Sequence, residues 1–146
     1  MKDNNKKKKV ALIGCGLIGQ SWAVSFLSAG FSVSLFDPTK GVTEAAKEKI
    51  TAKLHELQNH GLICKRKISD YLSQIYLARS ISKAVEDCVY VQESGPENLD
   101  IKKELTQNID RATSENTPIA SSTSGIPTSL YANEVEGNYR CIVAHP

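Results

Sequence analysis

The chain has 146 residues, of which 40% are hydrophobic and 23% are charged, with a formal net charge of +2. This length and composition fit one globular domain and exclude a disordered, collagenous or disulfide-stapled chain. Residues 1–9 hold five lysines and one aspartate, so they carry +4 and leave −2 for residues 10–146. We predict a disordered lysine-rich arm over 1–9 and one domain over 10–146, without a basic face for nucleic acid.

Strands and helices are predicted to alternate along the chain. Short apolar runs indicate buried strands, and apolar residues at helical spacing indicate helices. In the first half we predict a strand at 10–13, a helix at 17–29 ended by Gly30, a strand at 31–36, a helix at 42–57, a loop with a short helix over 59–74, and a strand at 75–78.

The second half continues the same alternation. We predict a short helix at 81–85, a strand at 89–92, a helix that follows Ser94 to Glu97 and runs to about 111, a strand at 118–121, a short helix at 126–131 and a strand at 141–144. Such alternation is typical of a parallel sheet with right-handed crossovers. The predicted fold class is therefore α/β, a Rossmann-like, doubly wound and mainly parallel sheet with helices on both faces.

A glycine motif joins the first strand to the first helix. Residues 14–19 read G-C-G-L-I-G, which is G-x-G-x-x-G in the position where a phosphate-binding turn occurs. Gly14 would allow the tight turn, Gly16 would let a pyrophosphate approach the backbone, and Gly19 would let the helix pack against the strand. The helix N-terminus favours the phosphates of a dinucleotide. The alternative is a turn that only packs a helix.

Asp37 ends the second predicted strand, 18 residues after Gly19. An acid at this place accepts hydrogen bonds from the ribose hydroxyls and repels a 2′-phosphate, so the sequence favours NAD over NADP. The alternative makes Asp37 a helix N-cap with Pro38 at the first helical position, and both roles are compatible. Lys40 is close enough in sequence to weaken the discrimination against NADP.

Four further segments narrow the class of reaction. Residues 93–102 read E-S-G-P-E-N-L-D-I-K, residues 121–125 read S-S-T-S-G, residues 141–146 read C-I-V-A-H-P, and I-G-Q-S-W-A begins at Ile18. In order and spacing they resemble the NAD-binding half of the 3-hydroxyacyl-CoA dehydrogenase family, above all its lambda-crystallin branch. The resemblance covers nearly all of the chain after the lysine arm. It implies an NAD-dependent oxidoreductase that acts on a small-molecule 3-hydroxy substrate, and L-gulonate is the leading candidate for that substrate.

The resemblance implies two catalytic residues. Ser124 matches the family's active-site serine, which binds the substrate's 3-oxygen near the nicotinamide. His145 matches the catalytic histidine, and histidine suits a base because it titrates near neutral pH. From the residues alone, the Ser and Thr run is a helix cap or polar turn, and a histidine at a strand end is more often structural.

The same resemblance adds cofactor contacts. Glu97 and Lys102 match residues on the nicotinamide side of the cofactor, and Leu17 and Ile18 lie in the phosphate turn, where backbone groups contact it. From the residues alone, Ser94 and Glu97 form a capping box, and Lys102 is a solvated helix lysine.

The sequence also departs from the family pattern. The family's histidine pairs with a glutamate about a dozen residues further on and has an asparagine three residues after it, and neither position exists here. The helical C-terminal domain that forms the usual homodimer is also absent, so we expect a truncated chain that binds cofactor better than it turns over substrate. The alternatives are a non-catalytic NAD-binding fragment, a crystallin-like structural protein, and a dehydrogenase for another 3-hydroxy substrate such as carnitine.

The remaining cysteines and histidines suggest no further chemistry. The cysteines (Cys15, Cys64, Cys88 and Cys141) lack C-x-x-C spacing and a metal pattern with histidine, so we predict no metal and buried, reduced thiols in a cytoplasmic protein. His55 and His60 are predicted surface residues. No apolar stretch reaches the roughly 18 residues that a membrane span needs, so we predict no membrane partner.

Overall fold

The computed structural model describes residues 8–64 and 66–146, so most of the predicted lysine arm, residues 1–7, lies outside the described residues. Its elements in chain order are β1 (Lys9–Ile13), α1 (Leu17–Ser28), β2 (Ser32–Phe36), α2 (Val42–Asn59), α3 (Ile68–Leu72), β3 (Ile75–Leu77), α4 (Ile81–Val85), β4 (Cys88–Glu93), α5 (Leu99–Ala112), β5 (Ile119–Ser121), α6 (Thr128–Tyr131), a 3-10 turn (Asn138–Arg140) and β6 (Cys141–Val143).

The six strands form one sheet in the order β3-β2-β1-β4-β5-β6, and every strand pair in it is parallel. The direction of winding reverses beside β1, because β2 and β3 extend to one side of it and β4 to β6 extend to the other. This reversal places a crevice between the carboxyl ends of β1 and β4, where open α/β sheets bind their ligands.

Helices cover both faces of the sheet. Alternate residues of β1 serve opposite faces, since Val10 and Leu12 join the core under α1 and α2, while Ala11 and Ile13 join the core under α4 and α5. Residues of both cores are almost fully buried. The doubly wound α/β fold predicted from the sequence is therefore confirmed.

The predicted elements agree with the structure to within one or two residues at most of their ends. Helix α5 begins at Leu99, just after the Ser94 to Glu97 segment as predicted, and Asn98 is its N-cap residue. Gly30 follows α1 with a φ of +92°, as its predicted capping role requires.

The cysteines are all free thiols, but one burial prediction is wrong. Cys15, Cys88 and Cys141 are buried, whereas Cys64 is exposed in the segment between α2 and α3. His55 and His60 are exposed, as predicted. Across the described residues, the helices are too short or too polar to cross a membrane.

Candidate cofactor and active site

The glycine turn packs against the end of β4. Gly14 has a φ of +95°, and a Cβ there would lie 2.6 Å from the carbonyl oxygen of Ser94. A Cβ on Gly19 would overlap the carbonyl oxygen of Gly14. A Cβ on Gly16, in contrast, would meet open space, since no heavy atom of the described residues beyond its immediate chain neighbours and the adjoining helix backbone lies within 4 Å. The turn thus holds its shape through Gly14 and Gly19 and leaves open space at Gly16.

Helix α1 presents its N-terminus at this open space. Gly16 is the N-cap residue and has no side chain to cap the helix. The amides of Leu17, Ile18 and Gly19 precede the first intrahelical bond, which Gln20 donates to Gly16 at 3.0 Å. Leu17 is 78% exposed and Ile18 is 39% exposed. Amides of this kind, with the positive end of the helix dipole, form an anion site.

Asp37 fixes the glycine turn from the end of β2. Its carboxylate accepts one hydrogen bond from the backbone amide of Cys15 at 3.0 Å and another from that of Thr39 at 2.9 Å. The predicted N-cap role of Asp37 is wrong, because α2 begins after Gly41, whose φ is +83°. Burial and the nearby Asp37 charge raise the pKa of the Cys15 thiol to about 12.

A cleft of about 680 Å³ opens between the ends of β1, β2 and β4. Gly14, Gly16 and Asp37, three of the proposed cofactor contacts, line it. It also has walls that the sequence analysis missed, formed by Ser94 and Gly95 after β4, by Ile81 of α4, and by Ile101 and Leu105 of α5. The apolar side chains among these walls lie outside the glycine motif, and in the sequence they show only the ordinary spacing of helical residues.

The residues of this cleft fit a dinucleotide such as NAD. Gly16 leaves room for a phosphate against the backbone, the α1 amides supply donors, and Asp37 supplies acceptor oxygens at the end of β2. Each Asp37 oxygen accepts one hydrogen bond from a backbone amide, which leaves acceptor capacity for ribose hydroxyls. Among the described residues, no group of three or more His, Cys, Asp or Glu side chains could hold a metal ion.

A buried ion pair lies behind the end of β4. Lys102 and Glu93 are each 1% exposed, and the lysine Nζ lies 3.2 Å and 3.1 Å from the two carboxylate oxygens. Glu93 also accepts hydrogen bonds from the Gly95 amide and the Ser121 hydroxyl, each at 2.5 Å. Lys102 is therefore not the solvated lysine predicted from the residues alone, since it joins α5 to Glu93 at the end of β4, and Glu93 in turn binds Ser121 of β5.

Glu97 holds the serine-rich segment after β5. One of its carboxylate oxygens accepts hydrogen bonds from the Thr123 hydroxyl at 2.5 Å, the Ser124 amide at 3.2 Å and the Gly125 amide at 3.1 Å. The Thr123 hydroxyl is the largest cause that lowers the pKa of Glu97, with help from the Gly125 amide and Lys102. The Lys102 Nζ lies 4.0 Å from Glu97.

The alternative capping box is wrong. The N-cap of α5 is Asn98, whose side chain accepts a hydrogen bond from the Ile101 amide at 3.0 Å. Ser94 instead shares a hydrogen bond with the Ser122 hydroxyl at 2.9 Å. Glu97 is thus free of a capping role and serves the segment that carries Ser124.

Both predicted catalytic residues follow neighbouring strands at the same end of the sheet. Ser124 follows β5 and is exposed, with its amide bonded to Glu97. His145 follows β6 and is exposed, with its Nδ1 atom 3.1 Å from the Ser122 carbonyl oxygen. The structure therefore gathers the segments of Glu97, Ser124 and His145 beside the cleft that holds the glycine turn.

The fold and this cleft together define a dinucleotide-binding α/β domain of the dehydrogenase kind. Residues 9–146 match the family described as 3-hydroxyacyl-CoA dehydrogenase, NAD binding domain, and the chain belongs to that family. Its members are NAD-dependent oxidoreductases of 3-hydroxy compounds, and NAD is accordingly the cofactor of the domain.

Relatives with curated names agree with this membership. The chain is 37% identical over 141 residues to the L-carnitine dehydrogenase of Streptomyces griseus, covering 95% of this chain and 40% of that protein. It is 35% identical over 139 residues to the lambda-crystallin of Oryctolagus cuniculus, covering 94% and 43%. The chain thus spans about two fifths of the length of the curated relatives that it matches.

Solved structures show the same fold. The (S)-3-hydroxybutyryl-CoA dehydrogenase from Ralstonia eutropha superimposes with a TM-score of 0.86 at 24% identity, covering 95% of this chain and 49% of that one. A 3-hydroxyacyl-CoA dehydrogenase from Archaeoglobus fulgidus superimposes with a TM-score of 0.73 at 29% identity, covering 94% and 42%.

Proposed function

We propose that this chain is the NAD-binding domain of a dehydrogenase that oxidises the secondary alcohol of a small 3-hydroxy acid. The observation that carries the proposal is the meeting of two sites at one end of the sheet. The cleft around Gly16 and Asp37 suits the cofactor, and the segments of Ser124 and His145 lie on the strands beside it.

Bound NAD would supply the hydride acceptor. Gly16 and the amides of Leu17 and Ile18 would hold its phosphates, and Asp37 would accept hydrogen bonds from its adenosine ribose. Glu97 and Lys102 are proposed to shape the nicotinamide side of the cofactor site. Lys102 would act from the protein interior, because its Nζ is buried against Glu93.

Two side chains are proposed to act directly on the substrate. In the proposed mechanism His145 takes the proton of the substrate hydroxyl and returns it in the reverse direction. The Ser124 hydroxyl donates a hydrogen bond to the same substrate oxygen. Glu97 supports this role because it fixes the backbone on which Ser124 stands.

The substrate is proposed as L-gulonate, on the resemblance to the lambda-crystallin branch. L-Carnitine is the second candidate, since a relative 37% identical is named L-carnitine dehydrogenase. Both are small 3-hydroxy acids, and hydride would leave C3 in either case. The alternative to an enzyme is a non-catalytic, crystallin-like role, which the similarity to lambda-crystallins supports.

The test is a substrate panel in the protein that carries this domain, with L-gulonate, L-carnitine and a 3-hydroxybutyryl thioester, each assayed for NAD reduction. We expect turnover with a small 3-hydroxy acid and its loss in His145→Gln, while calorimetry shows unchanged NAD binding by the variant. Near-normal turnover in the variant would refute the assignment of His145. Tight NAD binding with no turnover on any substrate would favour the non-catalytic role.

A further inference from the structure

A hydrogen-bond network connects α1 to the segment of His145. Its centre is the Ser122 hydroxyl, which lies 3.1 Å from Nε1 of Trp22, 2.7 Å from Nε2 of Gln92 and 2.9 Å from the Ser94 hydroxyl. Trp22 belongs to the I-G-Q-S-W-A segment, which neither the phosphate turn nor the proposed chemistry explains. Gln92 is fully buried in β4.

The direction of each bond at Gln92 follows from its partners. Its Nε2 lies 3.2 Å from the carbonyl oxygen of Ala144, which can only accept, so the amide nitrogen must face that side. The Tyr90 hydroxyl then donates to Oε1 at 2.7 Å. The second Nε2 hydrogen goes to the Ser122 hydroxyl, and both donor positions of Gln92 are used.

The direction of each hydrogen bond at the Ser122 hydroxyl also follows from its partners. It accepts from Trp22 and Gln92, whose nitrogens are donors, and these two bonds occupy its lone pairs. Its own proton is therefore directed to the Ser94 hydroxyl. The backbone of the same residue is fixed as well, because the Ser122 amide donates to the Glu93 carbonyl oxygen at 2.8 Å.

This network ends at the imidazole of His145. The Ser122 carbonyl oxygen lies 3.1 Å from Nδ1, and a carbonyl can only accept, so Nδ1 carries the hydrogen. In the neutral ring, Nε2 is then the basic nitrogen. Gln92 acts from the other side, since it holds the carbonyl of Ala144, the residue directly before His145.

We propose that Trp22 and Gln92 are positioning residues that act through Ser122 to hold His145 in the Nδ1–H tautomer, with Nε2 as its basic nitrogen. The catalytic meaning of this tautomer rests on the proposed function, in which His145 is the base. The tautomer itself needs neither cofactor nor substrate, so it is tested separately from turnover.

The first experiment is ring-nitrogen NMR of the 146-residue chain labelled with ¹⁵N-histidine, at about pH 8.5, where an ordinary histidine is neutral. His55 and His60 are exposed and serve as internal references for the Nε2–H form that a free histidine side chain favours. We expect His145, assigned by its loss in His145→Gln, to show the Nδ1–H pattern instead. A His145 spectrum that matches the two reference histidines would overturn the proposal.

The second experiment tests whether the network sets the tautomer. Gln92→Glu removes both Nε2 donations, and Trp22→Phe removes the indole donor while it keeps a ring to stack on Phe26, 5.7 Å away between centroids. We expect the Nδ1–H signature to be lost in Gln92→Glu and reduced in Trp22→Phe, with His55 and His60 unchanged.

Tyr90→Phe is the matched control. It removes a hydrogen bond to Oε1 of Gln92 and leaves both Nε2 donations in place, so the His145 signature should persist. If Gln92→Glu fails to fold, judged by its amide spectrum, Trp22→Phe decides alone. A folded Trp22→Phe chain with an unaltered His145 spectrum would show that the network only packs the core. If the unmodified protein shows the Nδ1–H form of His145 but turns over no 3-hydroxy substrate, that result counts against the proposed function and leaves this inference standing.

Discussion

The carboxylate of Asp37, at the end of β2, accepts a hydrogen bond from the backbone amide of Cys15, in the glycine turn, at 3.0 Å. One side chain therefore shapes the phosphate turn and also lines the cleft where a ribose would lie. This double role separates two properties of Asp37, its hydrogen-bond acceptance and its charge, which different substitutions can test.

Asp37→Asn removes the charge and keeps one acceptor oxygen for the turn. We expect NAD affinity to fall, because one backbone amide and the ribose lose an acceptor oxygen. Discrimination against NADP should also fall, on the order of tenfold or about 1.4 kcal/mol, because the repulsion of a 2′-phosphate is lost. Calorimetric titrations with both cofactors measure the ratio. Asp70→Asn, at an exposed site on α3, is the control. Equal binding of NAD and NADP by the unmodified chain would refute this role of Asp37.

Gly16→Ala and Gly19→Ala form a matched pair in the same turn. The new methyl at position 16 meets open space, so the fold should persist while NAD binding weakens about tenfold or more. The new methyl at position 19 overlaps the Gly14 carbonyl, and overpacking of this kind typically costs about 1–3 kcal/mol of unfolding free energy.

Urea unfolding and NAD titration of both variants distinguish these outcomes. A Gly16→Ala chain that binds NAD with full affinity would show that the pyrophosphate does not approach the backbone there.

Lys102→Met leaves the Glu93 carboxylate buried without its cation. Breaking such a pair from one side costs about 3–5 kcal/mol, so we expect a large loss of unfolding free energy in urea. The double variant Glu93→Gln with Lys102→Met removes both charges and should recover much of the loss. Equal stability of the single and double variants would argue that water reaches Glu93 and solvates it.

Thr123→Val removes the hydroxyl that most strongly lowers the pKa of Glu97. We expect the Glu97 pKa to rise toward its ordinary value of 4.5 in a carboxyl-carbon NMR titration. The folded chain lowers the pKa of Glu97, so the hydrogen bonds that its carboxylate accepts stabilise the Ser124 segment fully at pH values above the ordinary pKa. This stabilisation is lost as the pH falls through the lowered pKa. An unchanged Glu97 titration in the variant would exclude the hydroxyl as the cause.

Thiol labelling should separate Cys64 from Cys15. Cys64 is exposed, whereas Cys15 is buried and its pKa is raised to about 12, so almost none of it is thiolate at neutral pH. Brief treatment of the native chain with iodoacetamide, followed by peptide mass mapping, should modify Cys64 first. The Cys64→Ser variant should then show little rapid labelling. Rapid modification of Cys15 would mean that the glycine turn opens in solution.

Local pattern predicted the backbone of this domain well. Strands and helices were recognised because apolar periodicity is a property of neighbouring residues, and the glycine turn was recognised because its three glycines lie within six positions. Local pattern also suggested caps that do not exist. Asp37 with Pro38 and Ser94 with Glu97 both have cap-like spacing, yet the N-cap residues of the two helices are Gly41 and Asn98.

The sequence by itself determined the order of elements, the phosphate turn and an acid at the end of β2. Only the tertiary structure decided that Lys102 is buried against Glu93, that Glu97 serves the Ser124 segment, and that Trp22 reaches Ser122 across 100 residues. The physical reason is that a buried polar side chain must find its partners wherever the sheet brings them. Parallel pairing of β4, β5 and β6 sets those neighbours, and no local window of sequence contains them.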